Sequence, residues 1–250
     1  VSRFLNKSVF ELNEIEWWSN WCTLEWLNDS VYLFHSNVFK EELFNRVGYL
    51  QGANLLPNFL ELAEQKIEKE GACPSVFVFK EDKERIKLKD YKLTDELIVM
   101  TLRQKINGFS QVTIEQTTQD KIDEWCKVYL KAFYGELSLY KHVYTILNKL
   151  LENPHVQLLH ATLGNFVVGV SALYESKECV GVYCVGTLPE FRRKGVATSI
   201  LKHASEHAEN LGKPLVLQTF LADGVQKFYE ERGFVKVYSK LVYTKNPRFA

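Results

Sequence analysis

The chain has 250 residues, 46% apolar and 25% charged, a balance that excludes disorder, collagen and a coiled coil as global descriptions. Lys+Arg and Asp+Glu both number 31, so the basic excess of a nucleic-acid binder is missing. Split at residue 110, the first part carries 14 basic and 17 acidic side chains and the second 17 and 14, an asymmetry too mild to name a partner.

Four of the five tryptophans, Trp17, Trp18, Trp21 and Trp26, fall within the first 26 residues. Trp17 with Trp21, or Trp18 with Trp21, fits one helix face. That face reads as core or as packing between two halves, with an aromatic ligand platform as the alternative. Leu60–Pro74 (LELAEQKIEKEGACP) reads as a helix stopped by glycine, with proline close behind, and SVFVF then enters as a strand. Asp90–Leu102 (DYKLTDELIVMTL) is the next extended stretch. A boundary is expected at Ile106–Gln111.

The second half has clearer periodicity. Val112–Thr117 alternates apolar and polar like a half-buried strand. Ile122, Trp125, Cys126, Tyr129, Leu130 and Phe133 make one apolar helix face, with Asp120 placed as its N-cap. Leu139, Val143, Ile146, Leu147 and Leu150 repeat the pattern on a second helix, ended by Asn153-Pro154. VQLLHATL and FVVGVSAL form a hairpin across Gly164-Asn165, and CVGVYCVGTL is a third strand. A helix follows, with Ala197, Leu201, Ala204, Ala208 and Leu211 on one side and Gly212 as its stop. LVLQTF is a strand, VQKFYEER a short helix ended by Gly233, and FVKVYSKLVYTK closes the chain as extended structure. Only the step from CVGVY through the helix to LVLQTF resembles a parallel crossover.

The first half echoes the second. Leu60–Pro74 parallels Leu201–Pro214, each followed by a strand, and Asp90–Leu102 parallels Gly233–Thr244, all at offsets of 140 to 143 residues. A degenerate internal duplication is expected, with domains at 1–105 and 111–250.

The stretch Tyr183–Ile200 (YCVGTLPEFRRKGVATSI) carries the chemistry. A strand ends, Pro189 breaks it, and a basic glycine-containing turn opens a helix. A helix start exposes free N–H groups at the positive end of a dipole and so attracts anions. Arg192, Arg193 and Lys194 add charge there, Gly195 lets a phosphate approach the backbone, and Ala197 keeps the next turn small. The pattern lacks both the GxxxxGK[ST] of a P-loop and the three glycines of a dinucleotide fingerprint. The residues alone suggest a phosphate or pyrophosphate cradle, with a solvated basic turn as the alternative.

Arg192-x-x-Gly195-x-Ala197 resembles the Q/R-x-x-G-x-G/A signature of the GNAT superfamily of acyl-CoA-dependent N-acyltransferases. Phe228-Tyr229 ahead of Gly233-Phe234 is similar to that family's second landmark, and the order of elements over residues 111 to 245 agrees. The resemblance implies a GNAT α/β (α+β) fold: a mixed, mostly antiparallel sheet flanked by helices, in tandem with a degenerate first half. It implies acetyl-CoA as co-substrate, with Val185, Gly186 and Thr187 on the strand edge that takes the pantetheine arm. The Val185 amide would polarise the thioester carbonyl. Arg193, Lys194, Gly195, Val196, Ala197 and Thr198 would wrap the pyrophosphate, with Arg192 and Gly195 as signature residues. Tyr229 matches the tyrosine that protonates the departing thiolate.

Some positions depart from the family pattern. Ala222 stands where many members carry Asn, with Asp223 beside it. Leu217 and Gln218 occupy a strand where some members place a basic Glu, so the general base is unassigned among Glu136, Glu178, Tyr183 and a water chain. Cys184 reads as a small strand residue more readily than as a nucleophile. His203 and His207 are four apart on the signature helix without an HExxH motif, and no metal is expected.

The expectation is therefore a direct N-acetyltransferase acting on an amine acceptor, small molecule or protein, through a ternary complex. A CoA-binding sensor or scaffold without turnover is the alternative. The five cysteines (Cys22, Cys73, Cys126, Cys179, Cys184) show no CxxC spacing, no apolar run approaches the roughly 18 residues of a membrane span, and the N-terminal stretch carries acids where a signal peptide would not. A cytoplasmic enzyme with no membrane or nucleic-acid partner is expected, its oligomeric state open.

Overall fold

The computed structural model describes residues 7–53, 57–107 and 111–245. They pack as two compact units, one of Val1–Val99, Gln218–Gln226 and Lys236–Ala250, the other of Met100–Leu217 and Lys227–Val235. The units are not simple chain segments. Residues 218–226 and 236–250, late in the sequence, pack with the first 99, whereas the 1–105 and 111–250 division follows the chain. Part of the boundary stretch, residues 108–110, lies outside the described residues.

The first unit begins with helix α1 (Lys7–Trp18), which buries Phe10, Ile15, Trp17 and Trp18 together with the polar Glu11, Asn13 and Glu14. A helix buried on so many sides has to bring partners for its charges. Strands β1 (Thr23–Trp26), β2 (Val31–His35) and β3 (Arg46–Tyr49) form an antiparallel meander. Helix α2 (Pro57–Lys69) leads to β4 (Ser75–Phe79), which lies parallel to β3. Strand β5 (Tyr91–Leu102) follows.

Trp17, Trp18 and Trp21 gather with ring centroids 6.0 to 6.2 Å apart, Trp18 meets Phe44 and Trp21 meets Phe39. All three are buried, so this cluster is core of the first unit and not a ligand platform. Trp26 alone is exposed, lying edge-on to Tyr32.

In the second half, β6 (Thr113–Gln116) precedes helices α3 (Ile122–Phe133) and α4 (Tyr140–Leu151). Strands β7 (Val156–Leu163), β8 (Phe166–Glu175) and β9 (Val180–Thr187) come next, then helix α5 (Val196–Asn210), β10 (Leu215–Phe220), the short helix α6 (Gln226–Glu230) and β11 (Phe234–Lys245). The order β-α-α-β-β-β-α-β-α-β is the one expected. β6 to β9 pair antiparallel, and β9 with β10 is the parallel step. Strand order is β1-β2-β3-β4-β11-β5 in the first unit and β10-β9-β8-β7-β6 in the second.

The internal echo reappears as matched element order. In both halves a meander of three strands leads through one helix to a parallel strand, β3-α2-β4 and β9-α5-β10. Each half then closes on a strand of 12 residues, β5 or β11. The fold is a mixed, mostly antiparallel sheet with helices, as expected.

Helix α3 is fixed by Trp125, fully buried, whose indole N–H donates to the carbonyls of Leu159 (2.9 Å) and Ser171 (3.3 Å). Its predicted face is buried through Leu130, but Phe133 is 51% exposed. Asp120 does not cap this helix. A 3-10 turn at Gln119–Lys121 intervenes, Lys121 takes the cap position without a side-chain bond, and the Asp120 carboxylate accepts from the Thr118 hydroxyl at 2.5 Å. Helix α5 buries Val196, Ile200, Leu201, Ala204, Ser205 and Ala208, while the expected Ala197 is half-buried and Leu211 exposed. Among the described residues no helix is long and apolar enough to cross a membrane.

Candidate active site

β8 and β9 leave regular pairing where the sequence places Val185. Val170 faces Gly186 and Ala172 faces Tyr183, so Cys184 and Val185 together oppose the single residue Ser171. This is a β-bulge, and Cys184 carries its strain at φ 54°. A bulge leaves an extra residue unpaired and re-aims the backbone around it. Ser171 adapts: its hydroxyl donates to the Tyr183 carbonyl at 2.9 Å, and its own carbonyl is served by the Trp125 indole. The parallel ladder with β10 covers Leu215↔Val180 and Val216↔Gly181, and β9 continues past it to Thr187. A Cβ on Gly186 would sit 2.9 Å from Phe133 Cε2 and 3.1 Å from the Ala132 Cβ, so glycine there lets the end of α3 lie against the strand.

The chain then turns at Pro189–Phe191, and Arg193 and Gly195 both take left-handed backbone, φ 62° and 84°. Gly195 is the N-cap of α5 and brings no side chain to cap it. The first helical bond runs from the Ser199 N–H to the Gly195 carbonyl at 2.9 Å. The N–H groups of Val196, Ala197 and Thr198 thus lie ahead of the helix's own ladder, at the positive end of a 15-residue dipole. Arg192, Arg193 and Lys194 are exposed around it. Arg192 Nη2 donates to the Ala132 carbonyl at 3.4 Å, and Lys194 Nζ stands 4.8 Å over the Phe191 ring. Donors, positive charge and an absent Cβ fit a pyrophosphate.

Tyr229 is half-buried on α6, with its ring centroid 5.3 Å from Phe228 and 6.0 Å from Phe234. Arg232 links this segment to the start of α5: its Nε donates to Thr198 Oγ1 at 2.8 Å and its Nη1 to the Phe228 carbonyl at 2.7 Å. No sequence signal pointed to Arg232, because one arginine in a turn has no periodicity to read. The structure therefore brings Thr198 and the α6 segment together within one unit.

Other positions fall elsewhere. Ala222 lies in a 3-10 turn, Leu221–Asp223, where its N–H donates to Asp95 at 3.2 Å. Asp223 Oδ2 accepts from the Phe220 N–H (3.3 Å) and the Thr219 hydroxyl (3.5 Å), and burial raises its carboxyl above the ordinary range. Asp223 therefore works on its own turn, in the first unit, beside a cavity of about 160 Å³ lined by Glu42, Thr94, Asp95, Phe220 and Val242. Gln218 hydrogen-bonds Glu14 in the same unit. Glu136 is exposed and accepts from Ser138, and Glu178 is exposed in the turn before β9, at the strand end away from Val185. Burial pushes the Cys184 thiol far up, which suits a strand residue and not a nucleophile. His203 and His207 are half-buried on α5, with His207 4.0 Å from Glu175.

Residues 120–234, just under half of the chain, match the family model described as Acetyltransferase (GNAT) family. Solved structures extend the likeness to nearly all of the chain. A GCN5-related N-acetyltransferase from Kribbella flavida superposes with a TM-score of 0.64 at 13% identity, over 98% of this chain and 97% of that one. A GCN5-related N-acetyltransferase from Sphaerobacter thermophilus gives 0.65 at 14%, over 92% and 84%. A functionally unknown conserved protein from Staphylococcus epidermidis gives 0.65 at 15%, over 90% and 94%. No curated protein matches the chain.

Residues 120–234 are a GNAT acetyltransferase domain, and the fold of the whole chain is shared with GNAT proteins. The family's activity is acyl-CoA-dependent acetyl transfer to an amine.

Proposed function

We propose that the second half binds acetyl-CoA and passes its acetyl group directly to an amine. The bulge at Cys184–Val185 carries this reading, because it turns backbone out of the β8 ladder next to an uncapped, arginine-flanked helix start. In this reading Val185, Gly186 and Thr187 take the pantetheine arm, and Arg192 to Thr198 take the pyrophosphate. A neutral amine attacks the thioester carbon. The oxygen of the tetrahedral intermediate is held at the Val185 N–H. Collapse breaks the C–S bond, and Tyr229 gives its phenolic proton to the departing thiolate. The general base is a side chain of the acceptor site or a water chain.

The half of residues 1–105 is assigned a non-catalytic role, since it has no basic cluster matching Arg192–Lys194. Five free cysteines favour a reducing, cytoplasmic setting. A CoA-binding sensor or scaffold is the second reading, favoured by Ala222 standing in place of an amide side chain.

Calorimetric titration with acetyl-CoA, followed by an acetyl-transfer assay over a panel of amines, tests the first reading. Binding without transfer to any amine replaces it with the second. Equal affinity for ATP and CoA makes the site a general phosphate binder and overturns both.

A further inference from the structure

Arg232 is held more tightly than its place in a turn requires. Its guanidinium carbon lies 3.5 Å from the Phe228 ring centroid, its Nη1 donates to the Phe228 carbonyl at 2.7 Å, and its side chain is 23% exposed. A stacked ring and a backbone carbonyl together fix the plane of the guanidinium, which a lysine could not reproduce. Nε donates to Thr198 Oγ1 at 2.8 Å, and Nη1 also stands 3.9 Å from Glu231 Oε2.

The donor inventory gives that bond a direction. Arginine has no acceptor, so Thr198 Oγ1 must accept, using one lone pair. A threonine hydroxyl carries one proton, and this hydrogen bond leaves it unspent. The usual outlet on a helix is the carbonyl four residues back, which for Thr198 is Lys194; among the described residues Thr198 makes no hydrogen bond to it, whereas the neighbouring Ser199 does use its own outlet, donating to Gly195 at 3.1 Å. Among the described residues, the Thr198 hydroxyl makes one hydrogen bond, the one it accepts from Arg232. Thr198 is the third residue of α5, where the helix's own N–H groups are also free to meet an anion.

We propose that Arg232 is a positioning residue for the CoA cradle. It occupies one face of the Thr198 hydroxyl and so commits the hydroxyl proton to the pyrophosphate. The inference rests on the CoA reading above and adds to it a residue to which the sequence resemblance assigned no role. Arg232 touches no reacting atom and acts through Thr198.

Affinity for CoA and for pantetheine, which lacks the pyrophosphate, tests this by calorimetry on the full chain. The set is wild type, Thr198→Val, Thr198→Ser, Arg232→Met, Arg232→Lys and the Thr198→Val/Arg232→Met double variant. Thr198→Val and Arg232→Met should each weaken CoA by roughly tenfold, the worth of one charge-assisted hydrogen bond. The double variant should be no weaker than either single, because both remove the same interaction. Thr198→Ser keeps the hydroxyl and should bind like wild type. Pantetheine affinity should be the same throughout. Should Arg232→Met fold poorly, Arg232→Lys, which keeps the charge but not Nε, should show the same loss. Multiplying losses in the double variant, equal losses for pantetheine, or singles that bind CoA normally would each overturn the role of Arg232 and leave the CoA reading standing. A wild type that does not bind CoA overturns both.

Discussion

Lys240 Nζ lies 2.5 Å from Glu14 Oε2, joining the last strand to the first helix through side chains that are almost wholly buried. Lys240 also donates to Glu11 at 2.9 Å, Tyr238 donates to Glu11 at 2.6 Å, and Arg46 donates to Glu14 at 2.6 Å. Two acids and two bases meet within the first unit, and burial raises the Glu11 carboxyl above the ordinary carboxylate range. Burial would drive protons off Lys240 and onto Glu14, but the paired charges win: the ammonium stays well above the ordinary lysine range and Glu14 stays below the ordinary carboxylate range. Removing one partner leaves charge stranded. Lys240→Met should destabilise the protein by about 3–5 kcal/mol in urea denaturation. A loss below about 1 kcal/mol would mean that the cluster relaxes to water.

The acid limb of stability should report Glu96. This carboxylate accepts from Lys236 at 2.7 Å and from Lys80 at 2.9 Å. Burial opposes its ionisation, but the two lysines prevail and hold it down to about 2, against 4.5 for a free glutamate. A depressed folded-state pKa gives stability that is present above the unfolded value and lost as pH falls through the folded one. Wild type should therefore lose this contribution between about pH 4.5 and 2, and Glu96→Gln should flatten that part of the stability curve. Carboxyl-carbon NMR titration gives the direct check, and a Glu96 midpoint near 4.5 would refute it.

Gly195→Val tests the cradle. The position has φ 84°, which costs a Cβ-bearing residue about 1–2 kcal/mol, and the new side chain would stand where a phosphate must approach. A surface turn should absorb that cost, leaving the fold intact by circular dichroism. CoA affinity should fall at least tenfold. Wild-type affinity in this variant would place the pyrophosphate elsewhere.

Tyr229→Phe removes a proton donor and little volume. Stability and acetyl-CoA affinity should hardly change, while the chemical step slows by about 10² to 10⁴-fold. The loss should appear in kcat more than in KM, because the bond forms as charge develops on sulfur. Single-turnover rates decide the case if product release masks chemistry: an unchanged rate of acetyl transfer leaves Tyr229 with a packing role beside Phe228 and Phe234.

Local order was legible in the sequence because it is local. Alternation marked β6, helical spacing marked the faces of α3 and α4, and Gly164-Asn165 marked the β7–β8 hairpin. The signature from Arg192 to Ala197 located a basic, glycine-containing turn at a helix start, since a missing Cβ and clustered cations are written in residue types. The 140–143-residue echo located matching elements for the same reason. Tertiary structure decided the rest. Lys240 faces Phe79 and Thr244 faces Ser75, a pairing of β11 with β4 across more than half the chain, and strand periodicity states which faces are apolar but not which neighbour a strand takes. Glu11 and Glu14 are buried, and their counter-charges arrive from Arg46 and Lys240 only once the chain has folded. The bulge at Cys184 and the reach of Arg232 to Thr198 have the same origin. Each is a relation between segments, and a residue's own neighbours in sequence carry no information about the partner that will satisfy it.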